Sequence, residues 1–252
     1  MQSCANGLEV SRVSIEVYYW PTPNGHKVTI ACEEMGLAYE IRPVNIGRGE
    51  QFTPEFLAIS PNNRMPAIID PDGPDGAAIS VFESGAILQY LGRKTGRFYP
   101  TSERARVEVD EWVFWQMGNL GPMAGQSNHF RNYSPSFLLD QRHSAYGANR
   151  YTNEVNRLYG VLDKRLVDRD YITGEYSIAD MITWPWVAGH SSAAIQLDTF
   201  PNLTAWKARI GAREPVQRAL AQAKTIQSGV PLNQSSREAE AARRVLFGQR
   251  AR

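Results

Sequence analysis

The chain is poor in the groups that most often carry chemistry by themselves. Of 252 residues, two are cysteine (Cys4 and Cys32) and four are histidine. Two cysteines make no disulfide framework, and a reducing setting is the default for such a chain. His26, His129, His143 and His190 fall at no metal-ligand spacing, so no metal site is expected. Neither a G-x-G-x-x-G nor a Walker-type phosphate loop occurs, which leaves little for a nucleotide enzyme. Nothing approaches the roughly 18 apolar residues of a membrane span. Lys and Arg number 27 against 26 Asp and Glu, for a net charge of +1. That balance gives no pull toward nucleic acid or a membrane surface. The opening MQSCANGLEVSR has no basic region followed by an apolar stretch, so a secretory signal is not expected and a cytoplasmic location is. No repeat of 20 to 50 residues is visible.

What is present begins with IEVYYW, Ile15 to Trp20, whose alternation places Ile15, Val17 and Tyr19 on one face of a strand. The turn Pro21–Gly25 follows. Val28, Ala31, Cys32 and Met35 then repeat at helical spacing up to Gly36, a natural stop. On that face Cys32 reads as a small core residue rather than a redox thiol. YEIRPVN predicts a second strand, and Pro43 confines it to a sheet edge because proline donates nothing to a ladder. PEFLAIS is a short helix. NNRMPAIID and AAISVF are two more strands joined by PDGPDG, which suits a hairpin. ESGAILQYLGRKTG closes this half as a helix with Ile87, Leu88 and Leu91 inward and Gly96 as its stop.

After RFYPTSERAR only helices are expected, over Val107–Trp115, Tyr151–Val167, GEYSIADMITWPWVAG and FPNLTAWKARIGAREPVQRAL. Ser177 and Asp180 have capping-box spacing, with Tyr176 and Met181 placed as a hydrophobic staple, and Pro185 is expected to kink its helix. The expected division is an arm over 1–12, a strand-and-helix domain over 13–98, a helical domain over 102–224 and a polar tail over 225–252. The fold class is therefore α/β plus all-α, with element order βαβαββα in the first domain.

A strand, a turn and a helix N-terminus make a good cradle for an anion. The turn Thr22-Pro23-Asn24-Gly25 nevertheless holds no nucleophile. Thr22 brings a hydroxyl donor and Asn24 an amide donor, although Pro, Asn and Gly are also ordinary turn residues.

TPNGHKVTIACEE, GEQFTPEFLAISPNNRMPAIID, FESGAILQYL and LGPMAGQSNHF resemble, in order and at matching spacing, the glutathione transferase superfamily. The likeness is to its bacterial Nu class and to the fungal Ure2p-like proteins, and it covers about Val13 to Leu220. It implies a thioredoxin-like domain followed by a helical one, glutathione as co-substrate, and a homodimer. It also implies that the reactive thiol arrives with glutathione, in the place where thioredoxin-like folds hold a Cys-x-x-Cys. Lowering a thiol pKa of about 8.5 by two units takes about 2.7 kcal/mol. A helix N-terminus contributes roughly 0.3 to 2 kcal/mol and a hydrogen bond to a charged group about 1.5 to 3 kcal/mol. Dipole plus one or two donors is therefore enough.

The resemblance places Thr22 and Asn24 beside the glutathione sulfur. It gives Met65-Pro66 a cis bond that offers the backbone of Met65 to an extended ligand. It puts Glu83 and Ser84 at the γ-glutamyl end, where Ser84 can also serve as a plain helix cap. Gln51 and Arg64 would meet the rest of the tripeptide, with simple solvation as the alternative for Arg64. Asn128, His129 and Arg150 would face the second-substrate side. For His129 a structural role is the alternative, and for Arg150 a solvated helix face. No Tyr, Ser or Cys stands where most transferase classes activate the sulfur. The implied reaction is glutathione-dependent disulfide exchange, or conjugation of glutathione to an electrophile, with a non-catalytic regulator as the competing reading.

Overall fold

The computed structural model describes residues 14–137, 140–226 and 229–249. The arm over 1–12, with Cys4, lies outside the described residues. Four strands, β1 (Ile15–Tyr19), β2 (Tyr39–Pro43), β3 (Ala67–Asp70) and β4 (Ile79–Phe82), form a sheet in the order β2-β1-β3-β4. β1 and β2 run parallel, with Ile15 opposite Tyr39 and Tyr19 opposite Pro43. β3 is antiparallel to β1, and β4 to β3. Pro43 thus sits on an edge strand, where its missing N–H costs no ladder bond. Ile15, Val17 and Tyr19 point into the core, as their alternation requires.

Helix α1 (Pro23–Met35) follows β1, α2 (Pro54–Ile59) precedes β3, and α3 (Ser84–Thr95) follows β4. The start of α1 is fixed three ways. Thr22 caps it by accepting from Gly25 N at 3.3 Å, and Pro23 presets the first turn. Gly25 is obligatory, because a Cβ there would stand 2.3 Å from Trp20 O and 2.8 Å from the Tyr19 ring. The helix ends at Gly36 with φ 70°, a left-handed turn that glycine adopts without strain.

The second half is helical: α4 (Glu103–Trp115), α5 (Gly121–Asn128), α6 (Gln141–Arg165), α7 (Ile178–Ala188), α8 (Pro201–Gly211), α9 (Glu214–Ala223) and α10 (Arg237–Phe247). The Ser177–Asp180 capping box forms, and Asp180 also accepts from Ile172 N and Trp206 Nε1. α7 runs on through Pro185 to Ala188. Nearly every residue of α7 is buried, so packing holds the turn where the proline lacks its hydrogen bond. FPNLTAWKARIGAREPVQRAL makes two helices, α8 and α9, and the polar tail contains a third, α10.

α1 packs against α3, α7 and α9. Arg213, the residue just before α9, grips the buried Glu34 of α1 through Nε and Nη2, at 2.6 and 2.8 Å, and lies over the Tyr176 ring at 3.9 Å. This bidentate pair ties α1 to the helical half and so fixes where the α1 N-terminus points.

Candidate active site

Two adjoining cavities open at the α1 N-terminus, of about 370 Å³ and 550 Å³. Asn24, Arg64, Met65, Gly125 and Gln126 belong to both. Asn24 stands on the first turn of α1, and its Oδ1 accepts from Trp186 Nε1 of α7 at 3.0 Å. An indole N–H only donates, so the oxygen of the amide must face Trp186. The two N–H bonds of Asn24 Nδ2 remain for whatever occupies the cavities. Thr22 lines neither cavity. Its oxygen caps α1, and its hydroxyl is directed at Met65 Sδ, 3.9 Å away. The geometry gives the turn one free side-chain donor where the sequence offers two.

The Met65–Pro66 bond is cis. No hydrogen bond within the described residues uses the Met65 N–H or C=O, which leaves both to an extended ligand backbone. Across the smaller cavity stand Glu83 and Ser84. Glu83 has φ 68°, an unusual backbone conformation for a side chain of its kind. Its carboxylate makes no hydrogen bond or ion pair among the described residues. Positive φ at a non-glycine residue costs energy and tends to persist where function requires it. Ser84 is buried and begins α3, where unpaired backbone N–H groups and the helix dipole suit a carboxylate.

Behind Ser84 lies a group that periodicity hides. Lys27 occupies a helical core position of α1 and is 1% exposed. Its Nζ donates to Gln116 Oε1 at 2.8 Å and Ser84 Oγ at 3.3 Å, and touches Met117 Sδ at 3.6 Å. Gln116 and Met117 reach it because the chain widens into a π-helical turn over Gln116–Leu120. Burial pulls the Lys27 ammonium down to about 7, with Glu83 acting in the opposite sense. A buried cation without a carboxylate partner is costly, and a ligand carboxylate at Ser84 would supply one.

Gln51 and His129 line the larger cavity. Gln51 donates to Ile46 O at 3.1 Å, while its buried Oε1 has no partner. Arg64 extends along the rim, where Nη1 contacts Asn63 and donates to Gln249 Oε1 at 3.0 Å. Burial lowers the His129 pKa, so its imidazole is neutral near pH 7. Asn128 and Arg150 line neither cavity. Asn128 turns to Tyr133 and Asn132, and Arg150 pairs with Glu154 one turn along α6. An i,i+4 partner is the usual fate of an arginine on a solvated helix face.

The Glutathione S-transferase N-terminal domain model matches residues 13–93, and the Glutathione S-transferase C-terminal domain model matches residues 135–214. Disulfide-bond oxidoreductase YfcG of Escherichia coli is 46% identical over 211 residues, covering 83% of this chain and 95% of that protein. The chain belongs to the glutathione S-transferase family. Among solved structures, a glutathione transferase family member from Pseudomonas fluorescens with two glutathione bound has 43% identity and a TM-score of 0.76. The match covers 84% of this chain and 94% of that one. A glutathione transferase from Pseudomonas putida, with one glutathione disulfide bound per subunit, has 40% identity and a TM-score of 0.77, over 82% and 91%. Ure2p in complex with glutathione matches at 29% identity and a TM-score of 0.74, over 82% and 98%.

Sequence reading missed Lys27, Met117, Gln126 and Trp186 in the smaller cavity, and Phe247 in the larger. A lysine at a core-facing helical position was the one signal available. The other four come from the helical half, and no local pattern says which of its faces meets α1. No helix among the described residues is long and apolar enough to cross a membrane, and no cluster of three possible metal ligands occurs among them.

Proposed function

We propose that the chain is a glutathione-dependent disulfide oxidoreductase whose nucleophile is the thiolate of bound glutathione. One observation carries the reading: Trp186 fixes the Asn24 amide so that its N–H groups face the space shared by the two cavities. An anion placed there meets the positive end of α1 and a hydrogen-bond donor at once. No cysteine competes for the role among the described residues, since Cys32 is buried and its thiol is pushed up to about 12 by burial.

Glutathione takes the smaller cavity. Its γ-glutamyl carboxylate lies at Ser84 with Lys27 behind, its ammonium at Glu83, and its cysteinyl backbone along Met65. The thiolate attacks one sulfur of a disulfide in the larger cavity. The S–S bond breaks, a glutathione mixed disulfide forms, and the other half leaves as a thiolate. A second glutathione thiolate attacks the mixed disulfide, giving glutathione disulfide and the second thiol. YfcG is named a disulfide-bond oxidoreductase, and the bacterial structures above hold two glutathione molecules or one glutathione disulfide. Conjugation to an electrophile would use the same thiolate. The non-catalytic regulator has less in its favour, because Asn24, Glu83 and Ser84 all open on the cavity. A cytoplasmic homodimer of the Nu class belongs to this reading through resemblance. Gel filtration tests the assembly.

Turnover of hydroxyethyl disulfide with glutathione is the direct assay. The Cys4→Ser, Cys32→Ser double variant is expected to keep most of the activity. Its stability is expected to drop by about 1 to 3 kcal/mol, because a hydroxyl replaces a thiol in an apolar site. Loss of turnover in that variant at a temperature where it remains folded would place the redox centre in the protein instead. Ser84→Ala is expected to raise the KM for glutathione about tenfold with kcat nearly unchanged, the pattern of a contact made equally in ground and transition states. Equal losses in both parameters would remove Ser84 from the binding end.

A further inference from the structure

Helix α10 lies beyond the 135–214 stretch matched by the C-terminal family model, yet it reaches back over the sheet domain. Its Ala242 and Val245 sit against Gly47 and Gly49 in the connection after β2, where an added Cβ would meet each at 3.5 Å. Arg243, itself largely buried, donates through Nη1 to the carbonyls of Leu232 and Gln234 at 2.7 and 2.9 Å and so fixes the approach to the helix. At the far end Gln249 accepts from Arg64. These contacts set Phe247 in a cluster of rings. Its centroid is 4.6 Å from His129 at 82°, 5.7 Å from Tyr133 at 29° and 5.8 Å from Phe137 at 24°.

The cluster forms one wall of the larger cavity, and Asn24, Gln51, Arg64 and Gln126 line the polar remainder. Phe247 and Phe137 keep 38% and 40% of their surface exposed. The described chain thus leaves aromatic surface uncovered beside the Asn24 donor. Covering aromatic surface in an edge or offset-stacked arrangement is favourable beyond simple area burial. His129 adds a neutral ring to this wall.

Resting on the oxidoreductase reading, we propose that α10 completes the second-substrate pocket and that Phe247 is its specificity-determining residue, selecting disulfides that carry an aryl group. The aryl half lies on the ring wall while the sulfur bonded to the other half faces the glutathione thiolate. That S–S bond breaks as the glutathione–sulfur bond forms. The departing thiolate, which carries the aryl group, takes a proton from water.

Two mixed disulfides test this, cysteine joined to benzyl mercaptan and cysteine joined to methanethiol. The wild type is expected to favour the benzyl compound in kcat/KM. Phe247→Ala is expected to lower the benzyl-to-methyl ratio two- to tenfold, the effect of losing one aromatic pair, because the benzyl value falls further than the methyl value. Phe247→Leu keeps an apolar anchor for α10 and is expected to lower the ratio equally, whereas Phe247→Trp preserves it. An unchanged or rising ratio in the Ala and Leu variants would overturn the proposal. So would a parallel fall for both disulfides, because Phe247 would then only support the fold. Turnover of neither compound by the wild type would sink the oxidoreductase reading, and the inference with it.

Discussion

Lys27→Met is expected to raise the KM for glutathione about tenfold or more while the melting temperature holds or rises. Nζ of Lys27 donates to Ser84 Oγ, and the serine proton, which points at Met117 Sδ 3.3 Å away, has only that weak acceptor to give up when it turns to a ligand carboxylate. The charge then lies one atom behind the ligand's anion, on a side chain that is almost wholly buried. A hydrogen bond to a charged group contributes about 1.5 to 3 kcal/mol, or roughly 10- to 150-fold in affinity. Stability responds in the opposite direction. The folded-state pKa lies near 7, below the ordinary lysine value. Between those two values the unfolded chain binds a proton that the native chain lacks, so native stability rises with pH across that window. Below about 7 the native state carries the whole cost of a buried ammonium. Methionine fills the space without that cost, although Gln116 Oε1 loses its donor. Binding of S-methylglutathione, which has no thiol to titrate, gives the cleanest readout. Its Kd is expected to climb above pH 7 in the wild type and to stay level in Lys27→Met. A flat wild-type profile together with an unchanged KM would rule out this role for Lys27.

Asn24→Ala is expected to lower kcat about 10- to 100-fold with little change in glutathione affinity, since the amide is assigned to the thiolate and not to the tripeptide frame. Trp186→Phe removes the indole N–H that orients the amide, 3.0 Å away, together with part of the ring that packs on Gly121 and Gly125. A drop of about three- to tenfold in kcat is expected, with glutathione affinity preserved. Thiolate absorbance of the bound complex should show the glutathione pKa rising in both variants. The double variant is expected to be no worse than Asn24→Ala alone, because Trp186 acts through Asn24. Fully additive losses would mean that Trp186 supports the site by packing, and that the amide is oriented without it.

Much of this architecture is legible in local sequence because the devices concerned are local. Thr22, Pro23 and Gly36 bracket α1, Ser177 and Asp180 cap α7, and the alternation of Ile15, Val17 and Tyr19 makes one face of a strand. Pro43 marks an edge by what it lacks. The site was only half legible. The residues on the sheet side, Asn24, Met65, Pro66, Glu83 and Ser84, lie in short stretches with their own patterns and do converge on one cavity. Thr22, Asn128 and Arg150 carry the same kinds of polar atom, yet neighbours within a few turns of chain claim them.

By itself the sequence determined the order of strands and helices in the first domain and the missing nucleophile in the first turn. Those follow from periodicity, backbone stereochemistry and the donors each side chain carries. Tertiary structure alone decided which way the Asn24 amide faces, that Lys27 is buried behind Ser84, and that Phe247 walls the second cavity. Each depends on an atom from a chain segment scores of residues away, brought close only when α7, the π-helical turn after α4, and α10 close over the sheet domain.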